Sequence, residues 1–240
     1  MYKRQGYYCL AAETSISDGT AEAAWASLDV ALSGTEYILA GDRSAFSLCR
    51  PPGHHASHDQ FGGYCFINNA AVAAQHLRDR GLRKVAVLDV DFHHGNGTQA
   101  IFYNRSDVLF LSLHGDPMHA FPHFLGHADE IGNGEGEGFN FNYPMPAGTS
   151  FAEWNSSLVS AIDQIAKFGA DAVVISLGVD TFERDPISFF KLTSPDFIKV
   201  GASIASLNLP TLFVMEGGYA VEEVGINTVN VLMGFKEKET

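Results

Sequence analysis

The chain has 240 residues, 46% of them apolar, enough for a sizeable core within one domain. Its formal net charge of -13 argues against a nucleic-acid binder, which needs a basic face, and suits a cationic partner drawn in by an acidic field. Three cysteines (Cys9, Cys49 and Cys65) with no CxxC pair argue against a disulfide framework and a cysteine zinc site, and no apolar run approaches the ~20 residues of a membrane span, so a reduced cytoplasmic setting without membrane contact is expected.

In chain order, Ser17-Asp18-Gly19-Thr20 is a helix start signal, and Ala21 to Leu39 follows it with helical spacing. Ala45 to Cys49 is a short apolar stretch leading into Arg50-Pro51-Pro52-Gly53-His54-His55-Ala56. Asn68 to Arg80 reads as a helix stopped by Gly81. Val85 to Leu88 is apolar throughout and opens into Asp89-Val90-Asp91-Phe92-His93-His94-Gly95-Asn96-Gly97. Val108 to Leu113 leads into His114-Gly115-Asp116-Pro117. Phe151 to Phe168 places Trp154, Leu158, Ile162 and Ile165 on one helical face and ends at Gly169. Ala172 to Leu177 leads into Gly178-Val179-Asp180-Thr181. Pro195 to Leu207 is a helix before Pro210, and Thr211 to Met215 leads into Glu216-Gly217-Gly218-Tyr219. Strands apolar throughout are buried on both faces. Their alternation with helices predicts an α/β three-layer sandwich with a mostly parallel central sheet.

In such folds the functional groups gather at the carboxyl ends of the strands. Here five strand ends carry Asp, His or Tyr. Asp91 and His93 are two residues apart, so on an extended chain their side chains share a side. With Asp180 from another strand end they supply one imidazole and two carboxylates, the three-ligand set of a catalytic zinc. A carboxylate-rich site also suits Fe(II), Co(II) or Mn(II). A lone strand-end Asp is more often a cap or a solvated charge; the joint pattern is what points to a metal.

Four blocks together resemble the signature segments of the histone deacetylase and acetylpolyamine amidohydrolase superfamily: Arg50 to Ala56, Asp89 to Gly97, Gly178 to Thr181, and Gly217 to Tyr219. They stand in the family's order, and the likeness runs from about Gly6 to Phe235. It implies an arginase/deacetylase-like fold over residues 1–240. The family's domain normally begins with a further N-terminal strand and loops near the site's rim. Those are expected to be missing here, and Met1 to Gln5 is expected not to be a natural start.

The resemblance implies one Zn2+ per chain on Asp91, His93 and Asp180. It makes His55 the general base and then acid, His54 an orienting partner, and Asp89 the group that fixes the ring of His54. Asn96 stands where some members have an Asp partner for His55, and Tyr219 is the hydrogen-bond donor to the oxyanion. Tyr64 and Phe121 match the aromatic walls of a narrow tunnel. Backbone oxygens of Asp89, Asp91, His93 and Leu113, with Ser112, resemble a structural K+ site. His114 to Pro117, Ala120 to His127 and Thr181 to Leu192 lie closer to the acetylpolyamine branch. Glu13 is then expected on an acidic rim, with Asp116 and Asp185 adding to the negative field at the mouth. The implied activity is zinc-dependent removal of acetyl groups from acetylated polyamines or similar cationic amines, and a homodimer is expected of that branch. Lysine deacetylation of proteins or peptides, non-catalytic binding of acylated amines, and a binuclear ureohydrolase remain as other readings.

Overall fold

The computed structural model describes residues 7–123 and 125–239. Met1–Gly6, Phe124 and Thr240 lie outside the described residues, and with them the expectation for Met1 to Gln5 and one residue of the Ala120 to His127 stretch. Among the described residues six strands form one sheet: β1 (Ser44–Ser47), β2 (Val85–Asp89), β3 (Val108–Gly115), β4 (Asn140–Met145), β5 (Ala172–Leu177) and β6 (Thr211–Met215). Their spatial order is β1-β6-β5-β2-β3-β4, and every neighbouring pair is parallel. The helices that accompany them among the described residues include α1 (Thr20–Leu39), α2 (Asn69–Asp79), α3 (Asn96–Phe102), α4 (Phe151–Phe168), α5 (Ser194–Ala205) and α6 (Val224–Glu239).

The pleat divides the strand side chains between two cores. Ala86, Leu88, Leu109, Leu111, Val173, Ile175 and Phe213 pack with Trp154, Leu158 and Ile165 of α4, Phe197 and Val200 of α5, and Val231 of α6. Val85, Val87, Phe110, Val174 and Leu212 face the other way, onto Ala31 of α1 and Ala70, Ala74 and Leu77 of α2. Burial on both faces explains the unbroken apolar runs and makes the expected three-layer sandwich the observed one. No helix among the described residues is long and apolar enough to cross a membrane.

Helix ends follow local chemistry. Asn68 caps α2 by accepting from Ala71 N. Ser150 and Glu153 form a reciprocal capping box on α4, which stops at Gly169 with φ 70. Three elements were not legible. β4 is an edge strand whose Asn140 and Asn142 are buried in a polar network rather than against apolar neighbours. α3 grows out of the polar His94-Gly95 segment, and α6 has no clear apolar stripe in its sequence.

The chain leaves β2 toward β3 and leaves β5 toward β6, on opposite sides of the adjacent β2–β5 pair. This divergence is a topological switch point, where the carboxyl-end loops separate and leave a crevice.

Candidate active site

Asp91 and His93 follow β2, and Asp180 follows β5, so the switch point brings all three together. Their ligand atoms lie within 4.8 Å of one another, and all three residues are buried. His93 Nδ1 stands 2.9 Å from Asp180 Oδ2 and 3.2 Å from Asp91 Oδ1. Backbone amides hold the carboxylates: Phe92 N donates to Asp180 Oδ1 at 2.7 Å, and Gly217 N donates to Asp91 Oδ2 at 2.8 Å. A Cβ at Gly217 would lie 2.7 Å from Asp91 Oδ2 and 2.9 Å from Asp180 Oδ2. That position must therefore be glycine for the chain to approach both acids.

Two buried carboxylates facing each other are electrostatically costly. Burial, then the charge of Asp91, pushes Asp180 up to about 7. Burial alone would lower His93, but its bonds to Asp180 and Asp91 outweigh burial and lift it to about 10. Burial likewise opposes ionisation of Asp91, yet the charge of His54 and the bond from His93 hold Asp91 below the usual carboxylate range. A divalent cation between these donors would replace the shared proton and cancel the repulsion. Two oxygens and one nitrogen, all buried, fit such an ion.

The tandem histidines face this cluster. His54 Nδ1 is 2.9 Å from Asp89 Oδ2, and its Nε2 is 3.9 Å from Asp91 Oδ1. His55 Nδ1 is 2.7 Å from Asn96 Oδ1. Because that amide oxygen only accepts, His55 carries its proton on Nδ1 and presents Nε2 as a lone pair. The neighbours push the two imidazoles apart. Burial would lower His54, but Asp89, Asp91 and Glu216 outweigh it and hold it well above the usual histidine range. Burial lowers His55, and the charges of His54 and His93 lower it further.

Above the cluster opens a cavity of about 310 Å³. Glu13, His55, Tyr64, His93, Phe121 and Tyr219 all line it, together with Phe92, His119, His123, Ile187 and Phe189. The Phe121 ring meets His55 edge-on at 4.9 Å, and the Tyr64 ring tilts against Tyr219 at 5.9 Å. Tyr64 holds φ 66, rarely adopted by a bulky residue, with its N–H bonded to Thr14 Oγ1 at 2.9 Å. The Tyr219 ring stands edge-on to His93 at 6.5 Å. Burial, then Asp91 and Asp180, raises its phenol, which therefore stays protonated and able to donate.

Two acids expected to add to the field at the mouth are engaged by backbone amides. Neither Asp185 nor Asp116 is among the described lining residues. Asp185 is buried, with its carboxylate accepting from Tyr219 N at 2.8 Å, Ile187 N at 3.1 Å and Ala220 N at 3.3 Å. It braces the backbone that carries Tyr219. Asp116 Oδ1 accepts from Met118 N at 2.9 Å, so it closes a turn. Glu13 is exposed at the cavity as expected. Of the residues expected around a monovalent cation, Ser112 pairs its hydroxyl with His114 Nδ1 at 2.9 Å.

Sequence reasoning missed Glu216. His54, Cys65 and Glu216 form a second buried group with metal-type donors. Both oxygens of Glu216 are already engaged, by Gly53 N, His54 N and the Ser176 hydroxyl. The only signal was its place at the head of the Glu216 to Tyr219 segment.

A parallel sheet with a carboxylate-histidine metal cluster and tandem histidines at its switch point is the arrangement of a metal-dependent deacetylase fold. The histone deacetylase domain matches residues 2–234, and the chain belongs to that family. It is 64% identical over 229 residues to acetylpolyamine amidohydrolase of Mycoplana ramosa, covering 95% of this chain and 67% of that protein. It is 61% identical over 233 residues to acetylpolyamine amidohydrolase 2 of Pseudomonas aeruginosa, covering 97% of this chain and 68% of the relative. The crystal structure of an acetylpolyamine aminohydrolase from Burkholderia pseudomallei superposes with a TM-score of 0.88 at 46% identity, covering 90% of this chain and 63% of that one. The chain thus spans about two thirds of the length of these relatives.

Proposed function

We propose that this chain is a zinc-dependent amidohydrolase that removes acetyl groups from acetylated polyamines or similar small cationic amines. The observation that carries the proposal is the buried Asp91–His93–Asp180 cluster at the foot of a cavity that also receives His55 and Tyr219. The names of the similar proteins support the substrate class.

Zinc, when bound by those three residues, supplies Lewis-acid activation of the acetyl carbonyl and of water. The remaining chemistry belongs to the chain. His55, kept neutral by burial and by the charge of His54 beside it, offers Nε2 to take a proton from the attacking water and return it to the leaving amine. His54, held protonated against Asp89, keeps a positive charge beside the reacting carbonyl. The Tyr219 hydroxyl donates to the oxygen as negative charge develops on it. Phe121 and Tyr64 border a slot suited to a methylene chain, and Glu13 offers a carboxylate to the distal ammonium. A K+ ion bound by carbonyl oxygens near Asp89 and Leu113 is part of the same reading.

The test is acetate release from acetylputrescine and from an acetyl-lysine peptide, side by side, with zinc-loaded protein of verified metal content. The expected result is faster cleavage of acetylputrescine. Faster cleavage of the peptide keeps the chemistry and overturns the substrate. No acetate from either, with zinc bound, overturns the hydrolase reading.

A further inference from the structure

Glu216 is a buried carboxylate that the mechanism leaves without a role. Its surroundings are specific. Gly53 N donates to Oε2 at 2.7 Å, His54 N donates to the same oxygen at 3.1 Å, and the Ser176 hydroxyl donates to Oε1 at 3.2 Å. The three donors come from two chain segments, the tandem-histidine turn after β1 and strand β5. Three bonds converging on one buried side chain fix its direction.

His54 is held through its carbonyl as well. His54 O accepts from Gly97 N at 3.0 Å and Thr98 N at 3.2 Å, at the start of α3. Asn68 Nδ2 donates to Ala56 O at 2.9 Å, just beyond the pair. At Gly53 a Cβ would lie 2.4 Å from Asn69 N, so the turn is pressed against α2. The histidine backbone is therefore clamped between α3 on its carbonyl side and Glu216 on its amide side. The next residue along, Gly217, donates to Asp91. One two-residue step at the end of β6 thus ties the histidine turn to a candidate metal ligand.

We propose that Glu216 is a positioning residue for the tandem histidines, setting the distance of His54 and His55 from the Asp91–His93–Asp180 cluster. The inference rests on the amidohydrolase reading for its effect on turnover, but its structural part stands apart from that reading.

Two measurements on the zinc-loaded full chain test it. The first follows backbone amide hydrogen exchange. Glu216→Ala should accelerate exchange at Gly53 and His54, and Glu216→Gln, which keeps an accepting oxygen and can donate to Ser176, should restore most of the protection. The second follows kinetics with acetylputrescine. Glu216→Ala should lower kcat on the order of 10- to 100-fold with KM nearly unchanged, and Glu216→Gln should recover a large part of kcat. Should Glu216→Ala fold poorly, Ser176→Ala removes one donor and should give a smaller loss of the same kind. Unchanged exchange at Gly53 and His54 in Glu216→Ala overturns the proposal, whether or not the wild type cleaves acetylputrescine. Faster exchange with unchanged kcat in an active enzyme also overturns it. A silent wild type with accelerated exchange in the variant overturns the functional reading and leaves the clamp standing.

Discussion

The foot of the cavity and its mouth are built differently. At the foot, Asp91, His93, Asp180, His54 and Glu216 come from strand ends or an adjoining turn and are buried. Most of their oxygens meet a backbone amide or an imidazole. At the mouth, Glu13 and His123 stand exposed on loops, and Tyr64 is 41% exposed. Of the two further acids expected there, Asp185 turns inward to backbone amides, and Asp116 is half-buried with one oxygen bonded to the amide of Met118. A charge at the foot is fixed by the sheet that carries it. A charge near the mouth is only as available as the local amides leave it.

The comparison breaks first at the foot. Asp180→Asn keeps an oxygen for Phe92 N but halves the negative charge facing His93. Metal content, measured on purified protein after dialysis, should fall sharply, and turnover should fall to background with it. Metal retained at wild-type stoichiometry would remove Asp180 from the ligand set. Asp185 then sharpens the boundary between the two regions. If it braces Tyr219, Asp185→Ala should cost kcat, on the order of 10- to 100-fold, and leave KM for a cationic substrate nearly unchanged. If it is a rim charge, KM should rise and kcat should hold. Steady-state kinetics with acetylputrescine separates the two outcomes.

These two regions were unequally legible in the sequence, for a physical reason. Val85 to Leu88, Val108 to Leu113, Ala172 to Leu177 and Thr211 to Met215 announced themselves because a strand covered on both faces has no polar position to spare. The Asp91–His93 spacing announced a site because an extended chain leaves little choice about where alternate side chains point. α4 was readable to its ends because Ser150, Glu153 and Gly169 cap it locally. β4 was not, since its buried asparagines answer to Gln99 and Glu130 across other segments. Glu216 escaped notice because its partner Gly53 lies 163 residues away in sequence. The bracing bonds of Asp185 were not legible because sequence reports a carboxylate but not the three amides that occupy it. Local rules are written locally, while the spending of a charge is decided by the tertiary fold.

Glu13 offers the smallest and most discriminating effect. It is exposed, so any attraction it exerts on an ammonium acts through solvent and is screened by salt. Glu13→Gln should therefore leave metal content and kcat unchanged and raise KM for acetylputrescine roughly 2- to 5-fold, as expected of an exposed ion pair worth about 0.4–1 kcal/mol. The difference from wild type should shrink as ionic strength rises. An acetylated alkylamine of the same length, which lacks the distal ammonium, should show no difference. A KM change equal for both substrates, or insensitive to salt, would mean that Glu13 shapes the cavity by packing and that charge at the mouth plays no part in choosing the amine.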